Sequence, residues 1–211
     1  MSYSTVFFDF GGVFTASPFD AVSRFAEGQG VDPGRFSATV FGQYGVDGDH
    51  PWHRMERGEI SLEQTRSEII ALGEELGFKA DIYDVFASMG SDGGVNTALS
   101  DYCLKLRPAG ITTVCVTNNV KEFGDGWRSL IPTDEIFDHI VDSSAVGVRK
   151  PEAEIFHIAL EQSGADAGQV LFLDDFQGNL DAASALGIDG LLVTPDQHRT
   201  ISELQTALGI D

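Results

Sequence analysis

Polar residues that could do chemistry follow or adjoin four short apolar runs of the sequence. They are Asp9, Thr117 with Asn118, Lys150, and Asp174 with Asp175. Carboxylate oxygens are ligands that Mg²⁺ prefers, and a lysine with a hydroxyl can bind phosphate oxygens. If these side chains meet in one crevice, their chemistry predicts a site for Mg²⁺ and a phosphoryl group.

Each of these signals is weak alone. An aspartate after a strand is often a turn or cap residue, and a single lysine before a proline is normally a solvated surface residue. Asp174-Asp175 can equally begin an exposed turn. The order and spacing of the four groups together favour a common site over four unrelated turns.

The runs themselves indicate the elements that must position these residues. Apolar residues without alternation occupy 6–8, 111–116, 170–173 and 191–193, which is typical of strands buried on both faces of a parallel sheet. Helical spacing separates them, at 94–106, at 152–163, and from a capping Asn179 to residue 186. The alternation predicts a doubly wound α/β sheet, whose ligands bind beyond the carboxyl ends of the strands.

Lys150 lies in a different setting from the strand-end residues. Pro151 suits the first position of the helix predicted at 152–163. We therefore expect Lys150 beside a helix N-terminus, a place that favours anions.

The stretch from 16 to 90 has no buried-strand run. Helical segments are predicted at 18–27, 33–41, 61–76 and 81–89, and Ser61 with Gln64 forms a capping-box start. We interpret it as a helical insertion over the sheet, with the glycine-rich stretch 90–94 as the return linker.

Composition excludes several classes of partner. The 211 residues carry a net charge of -20, from 33 Asp and Glu against 13 Lys and Arg, which disfavours nucleic acid and anionic membranes. This charge fits a well-solvated surface or adaptation to salt. No apolar run reaches the roughly 18 residues of a membrane span, and no basic region precedes an apolar one at the N-terminus.

The cysteines add little. Cys103 and Cys115 are too few for a disulfide framework or a zinc site. We expect a soluble cytoplasmic protein, and the sequence favours neither a monomer nor a homodimer.

Four motifs of the chain resemble those of the haloacid dehalogenase superfamily of hydrolases, in the subgroup with a helical cap after the first strand. They are Val-Phe-Phe-Asp-Phe-Gly-Gly-Val at 6–13, Val-Cys-Val-Thr-Asn at 114–118, Gly-Val-Arg-Lys-Pro at 147–151 and Leu-Asp-Asp-Phe-Gln-Gly-Asn at 173–179. The first and last are similar to those of the phosphatase domain of soluble epoxide hydrolases and of sugar-1-phosphate phosphatases. The resemblance implies a Rossmann-like core at 1–15 and 91–211, with a cap at 16–90.

The resemblance also assigns roles. It implies that Asp9 attacks phosphorus and forms an aspartyl-phosphate, while Lys150 and Thr117 bind the phosphoryl oxygens. Mg²⁺ would be held by Asp9, the Gly11 carbonyl and Asp175. The remaining members of the implied site are Asp174, in support of the metal, and Asn118, Phe10 and the Gly11 amide, beside the phosphate.

Gly11 departs from the pattern of the family's phosphatases. Most of them have at this position a second aspartate, which protonates the leaving alcohol and then activates water. General acid–base help is worth about 10²–10⁴ in rate. The leaving group is therefore expected to depart easily, as an anomeric oxygen does, or to receive its proton from the cap.

A polar cap segment offers candidates for that proton or for substrate binding. It contains His53, Arg54, Glu56 and Arg57, which could equally form a solvated helix face. Trp52 and Trp127 could line a pocket, although aromatic residues at helical spacing usually belong to a core.

We expect a Mg²⁺-dependent phosphatase of a small phosphorylated metabolite, with two alternatives. A metal-independent 2-haloacid dehalogenase would tolerate Gly11, because a halide leaves without a proton, but it would not need Asp174-Asp175. A weakly catalytic protein that binds a phosphorylated ligand or a partner is the second alternative. A phospho-receiver domain is excluded, because its acidic pair precedes the phospho-acceptor.

Overall fold

A five-stranded parallel sheet organises the chain, which a computed structural model describes at residues 3–88 and 94–210. The strands lie in the order β3-β2-β1-β4-β5. Their bounds are Thr5–Phe8 for β1, Thr112–Thr117 for β2, His139–Asp142 for β3, Val170–Asp174 for β4 and Asp189–Leu192 for β5. The doubly wound α/β fold expected from the sequence is confirmed.

Eleven α-helices are seen in the described residues. They are α1 (Pro18–Gly28), α2 (Pro33–Phe41), α3 (Pro51–Glu56), α4 (Leu62–Leu76), α5 (Ile82–Ser88), α6 (Thr97–Cys103), α7 (Thr133–Ile136), α8 (Ser143–Val146), α9 (Ala153–Ser163), α10 (Gln177–Ser184) and α11 (Gln197–Leu208). None of them, within 3–88 and 94–210, has the length and apolar character needed to cross a membrane.

The central strands are buried on both faces, as their unalternating apolar runs predict. Successive side chains of a strand point to opposite faces, so Phe8 packs into one layer and Phe7 into the other. The first layer includes Leu99 of α6, and the second includes Phe156 of α9. The sheet therefore has helices on both sides and a fixed carboxyl edge.

Three details differ from the expected elements. β3 was not predicted, because it is an edge strand in which only Val141 is fully buried. Helix α9 begins after an N-cap at Glu152, so Pro151 precedes the helix rather than opening it. Asn179 lies inside α10 instead of capping it, and its side chain has another partner.

Helices α1–α5 form a separate hydrophobic cluster between β1 and β2 in the sequence. Val22, Phe36 and Ile69 are among its buried members. The chain leaves the sheet and returns to it at neighbouring points, since a Cβ built on Gly94 would lie 2.9 Å from that of Ala16. Of the linker expected at 90–94, residues 90–93 lie outside the described part.

We call the five strands together with α6–α11 the sheet domain. The helical segment packs directly on this domain near α8. Gly58 has a φ of +70°, and a Cβ there would lie 2.5 Å from the backbone oxygen of Ser144. Only glycine allows so close an approach, so position 58 fixes how the segment after α3 sits on α8.

Gly58→Ala tests this contact against Gly77→Ala. Both place a Cβ at positive φ, +70° and +84°, which costs about 1–2 kcal/mol in either case. Nothing lies within 4 Å of the Cβ built on Gly77. We expect Gly58→Ala to lower the free energy of unfolding in urea by about 1–3 kcal/mol more than the control. Equal losses would contradict this packing.

Candidate active site

The carboxyl ends of three adjacent strands bring the predicted residues together. β1 lies between β2 and β4, and Phe8 is in register with Cys115 on one side and Leu173 on the other. Asp9, Thr117 and Asp174 therefore follow at one edge of the sheet. Because these strands are parallel and adjacent, motifs that are far apart in the sequence meet in one cluster.

Lys150 connects two of these carboxylates. Its Nζ lies 2.7 Å from Oδ1 of Asp9 and 2.8 Å from Oδ2 of Asp174, and its side chain is fully buried. Burial alone would lower the pKa of the ammonium group, but Asp174 and Asp9 outweigh it, so the pKa is raised. Lys150 is therefore a permanent positive charge inside the site.

Asp174 is held on all sides by the protein. The amide of Asn179 donates to both of its carboxylate oxygens, at 3.1 and 3.0 Å, and the Phe176 backbone N–H donates to Oδ1 at 2.8 Å. Because Lys150 Nζ also contacts Oδ2, the acceptor positions of the Asp174 carboxylate are largely occupied. Its evident task is to hold Lys150 in place.

Asp175 occupies a space that only glycine leaves open. A Cβ built on Gly12 would lie 2.0 Å from Oδ2 of Asp175, and Gly12 has a φ of +77°. The same oxygen accepts a hydrogen bond of 2.7 Å from the Ser17 hydroxyl. The roles of Gly12 and Ser17 were missed in the sequence, where they read as ordinary loop residues.

The three carboxylates form a group that suits a divalent cation. Single oxygens of Asp9, Asp174 and Asp175 all lie within 4.8 Å of one another. Burial, and then the neighbouring carboxylates despite Lys150, raise the pKa of Asp9 to about 8. Burial chiefly raises the pKa of Asp175 to about 6. A hard cation would offset this repulsion, so the donor set fits Mg²⁺.

Thr117 and Asn118 lie beside this group. Thr117 is buried at the cavity wall. Asn118 Oδ1 accepts from the Lys150 backbone N–H at 2.8 Å, and its Nδ2 donates to the Lys150 carbonyl at 3.0 Å and to the Tyr44 hydroxyl at 3.1 Å. Asn118 thus fixes the backbone of Lys150 and links it to the helical segment.

A cavity of about 400 Å³ opens in front of Asp9, between the sheet edge and the helical segment. Phe10 and Gly11 line it, as do both tryptophans singled out in the sequence, Trp52 and Trp127. A Cβ at Gly11 would meet nothing closer than 3.9 Å, so a side chain would fit there.

A buried ion pair joins the helical segment to the sheet domain. Arg149 Nε lies 2.6 Å from Oε2 of Glu56, and both side chains are almost fully enclosed. The other oxygen of Glu56 accepts from Trp52 Nε1 at 2.7 Å and from the Tyr44 hydroxyl at 3.2 Å. Burial raises the pKa of Glu56 although Arg149 opposes this. Sequence reasoning missed Arg149, whose partner lies 93 residues away.

The three cap residues predicted to meet a substrate point elsewhere. His53, Arg54 and Arg57 are absent from the cavity lining among the described residues. His53 Nε2 is 2.8 Å from the Phe41 carbonyl, and burial followed by Arg149 lowers its pKa to about 4. Arg54 pairs with Glu68 and Arg57 with Asp47 and Glu59, so their charges serve the segment itself.

Lys150→Met should be strongly destabilising. It leaves the partly buried Asp9 and the fully buried Asp174 without their cation, and breaking a buried pair costs about 3–5 kcal/mol. Lys121→Met, at an exposed lysine, should stay within about 0.5 kcal/mol of wild type.

The measurement is the free energy of unfolding in urea, without divalent cations. Lys150 lowers the pKa of Asp9, so this pKa rises further in Lys150→Met, and the deficit should shrink as the pH falls towards the wild-type pKa of Asp9. A deficit like that of Lys121→Met would contradict the buried bridge.

Comparison with known proteins identifies relatives along the whole chain. A family model for haloacid dehalogenase-like hydrolases matches residues 3–187. The chain is 31% identical over 214 residues to acyl-CoA dehydrogenase family member 10 of Mus musculus, covering 99% of this chain and 19% of that protein. It is 30% identical over 167 residues to bifunctional epoxide hydrolase 2 of Mus musculus, covering 74% and 29%. It therefore spans less than a third of these two relatives.

A sesquiterpene phosphatase of Aspergillus oryzae is 27% identical over 159 residues, covering 75% of this chain and 79% of that protein. Two solved structures share the fold. One is a haloacid dehalogenase family enzyme of Bacteroides thetaiotaomicron in complex with magnesium and inorganic phosphate, with a TM-score of 0.61, 20% identity and coverage of 93% and 96%. The other is an L-2-haloacid dehalogenase, with a TM-score of 0.66, 14% identity and coverage of 99% and 100%. The family match and the relatives confirm the resemblance seen in the motifs: the chain belongs to the haloacid dehalogenase-like hydrolases.

Proposed function

We propose that this hydrolase is a Mg²⁺-dependent phosphatase that acts through an aspartyl-phosphate on Asp9. The observation that carries the proposal is the cluster of three carboxylates around one buried lysine, with Asp9 at the cavity wall. The phosphatase among the relatives supports it.

Asp9 is the nucleophile in this mechanism. Its carboxylate forms a bond to phosphorus while the bond from phosphorus to the leaving oxygen breaks; that oxygen departs with the electron pair and takes a proton from water after it has left. Water then attacks the aspartyl-phosphate, which releases inorganic phosphate and restores the carboxylate of Asp9. The ion pair with Lys150 holds Asp9 in one orientation throughout.

The phosphoryl oxygens need positive charge and donors at the same edge. Lys150 supplies the charge, while the Thr117 hydroxyl and the backbone amides near Phe10 and Gly11 supply donors. Asn118 keeps the Lys150 backbone in register. All these groups belong to the sheet domain.

Asp9, the Gly11 carbonyl and Asp175 would hold the Mg²⁺, with Asp174 in support. When bound, the cation would neutralise negative charge on the transferring phosphoryl group. Asp174 acts mainly through Lys150, since its oxygens already accept bonds from Asn179 and the Phe176 amide.

Dehalogenation is the weaker candidate. A 2-haloacid is an anion, and three carboxylates within 4.8 Å of one another repel it unless a cation lies between them. The fold likeness to an L-2-haloacid dehalogenase, at 14% identity, does not separate the two reactions.

We further propose that residues 16–90 act as a cap on a core formed by 1–15 and 91–211. The cavity lies between these two parts, so closure of the helical segment would keep bulk water from the site between steps. Chain exit and return at neighbouring points, near Ala16 and Gly94, suit such a movement.

Asp9→Asn should lower phosphate release by at least about 10³-fold, because an amide cannot form the aspartyl-phosphate. Release from 4-nitrophenyl phosphate with Mg²⁺ measures the effect. Asp166→Asn, at an exposed aspartate that precedes β4, is the matched control and should keep the wild-type rate. If Asp9→Asn keeps more than a few per cent of activity, Asp9 is not the nucleophile.

Mg²⁺ should stabilise the folded protein through Asp175. At a Mg²⁺ concentration about 100 times Kd, a ligand bound only by the folded state adds about 2.7 kcal/mol, which raises Tm by several degrees. Asp175→Asn should lose most of this rise and Asp166→Asn should keep it, as measured by scanning calorimetry with Mg²⁺ and with EDTA. An unchanged rise in Asp175→Asn would remove Asp175 from the proposed ligands.

A further inference from the structure

The cavity in front of Asp9 is dominated by aromatic side chains. Nine of its 22 lining residues are aromatic, and both parts of the chain contribute them. Phe10 and Trp127 of the sheet domain meet edge to face with ring centres 4.7 Å apart, as do Phe41 and Trp52 of the helical segment. Such walls favour contact with a flat apolar group.

Charged groups for recognising a polar substrate are lacking in this wall. No lysine, arginine or histidine lines the cavity among the described residues, and its charged members are Asp9, Asp175 and Glu56. Asp9 and Asp175 belong to the reaction site. Glu56 is already engaged by Arg149, Trp52 and Tyr44.

The side-chain NH₂ groups of the asparagines in the wall are similarly engaged, although Asn179 Oδ1 has no hydrogen-bond partner among the described residues. The amide of Asn118 bonds to Lys150 and Tyr44, and the Asn119 amide donates to Asp142 at 2.6 Å. The Asn179 amide donates to Asp174. A sugar bound here would bury hydroxyls with few free partners, which costs binding energy. An apolar group has no such demand.

The leaving oxygen meets a second constraint at Gly11. Asp9 is followed two residues later by a position with no carboxylate, although a side chain there would have room, with the nearest atom 3.9 Å from its Cβ. Packing around a Cβ therefore does not explain why this position has no acid. An oxygen that departs without a proton donor must be stable as an anion, as a phenolate is.

We propose that the site takes phosphomonoesters of apolar aromatic groups whose leaving oxygen is phenol-like. This proposal rests on the proposed phosphatase function and names its substrate class. The cavity of about 400 Å³ lies within the usual range of ligand pockets, about 300–1,000 Å³, and accommodates one or two aromatic rings beside the phosphate.

A panel of three substrates separates the effect of the aromatic ring system from the effect of the leaving oxygen. They are 2-naphthyl phosphate, 2-naphthylmethyl phosphate with the same rings on an alcohol oxygen, and glucose 1-phosphate. With Mg²⁺, kcat/KM should be greatest for 2-naphthyl phosphate, by at least about 10²-fold over either of the others. Preference for glucose 1-phosphate would overturn the apolar substrate class while leaving the phosphatase intact. No phosphate release from any of them would overturn the phosphatase itself.

Gly11→Asp tests the leaving-group argument by adding the missing acid. Because the position has room, the variant should raise kcat/KM for 2-naphthylmethyl phosphate by about 10²–10⁴-fold. The effect on 2-naphthyl phosphate should be much smaller, since its oxygen needs no proton. Equal gains on both substrates, or wild-type rates on 2-naphthylmethyl phosphate that match those on 2-naphthyl phosphate, would overturn the assignment of a phenol-like leaving oxygen.

Leu130→Ser tests the cavity wall against Leu76→Ser. The two leucines are similarly exposed, 38% and 43%, but only Leu130 lines the cavity. Leu130→Ser should lower kcat/KM for 2-naphthyl phosphate about 3–10-fold and leave that for acetyl phosphate, which has no ring, unchanged. Leu76→Ser should change neither. A loss shared equally by both substrates, or no loss, would show that the wall does not select the aromatic group.

Discussion

The buried ammonium of Lys150 is the charge on which the rest of the site depends. Taking an ion out of water costs several kcal/mol, and the cost is offset only by close partners in good geometry. Here those partners are Asp9 at 2.7 Å and Asp174 at 2.8 Å. Surrounding residues then have fixed tasks: Asn118 holds the Lys150 backbone and Asn179 holds Asp174. One lysine does not balance three carboxylates, and this deficit of positive charge is what makes the cluster receptive to a cation.

The topology of the sheet explains why a few residues are enough to form the site. In a parallel sheet every strand ends at the same edge, so three adjacent strands deliver three functional groups without any long loop. The helical segment is inserted after β1, the central strand, and therefore emerges directly above that edge. A cavity between the two parts follows from this connectivity. The aromatic side chains that line it come from both parts of the chain, whereas the charged residues around Lys150 belong to the sheet domain.

Sequence reasoning could recover the charged residues of the site, but of the aromatic residues around the cavity it singled out only Trp52 and Trp127 as possible lining residues. Strands β1, β2 and β4 were predictable since each contains a buried, largely apolar run, and the convergence of Asp9, Thr117 and Asp174 follows from parallel order. Strand β3 was not predicted, because an edge strand needs few apolar residues. The direction of a side chain could not be predicted. His53 was a candidate for proton donation or substrate binding, yet its Nε2 faces the Phe41 carbonyl. The aromatic cavity depends on packing between parts that are distant in sequence, which no local pattern encodes.

Arg149 and Lys150 are neighbours in the chain, yet they face different parts of the molecule. Lys150 neutralises the reaction site, while Arg149 neutralises Glu56 of the helical segment. The two parts of this chain are therefore matched in charge and are not freely exchangeable. A chimera that takes its helical segment from a relative must bring an acid to the place of Glu56, or it leaves a guanidinium enclosed without its counter-charge one residue from the lysine of the site. A segment grafted into this chain therefore has to preserve this charge match.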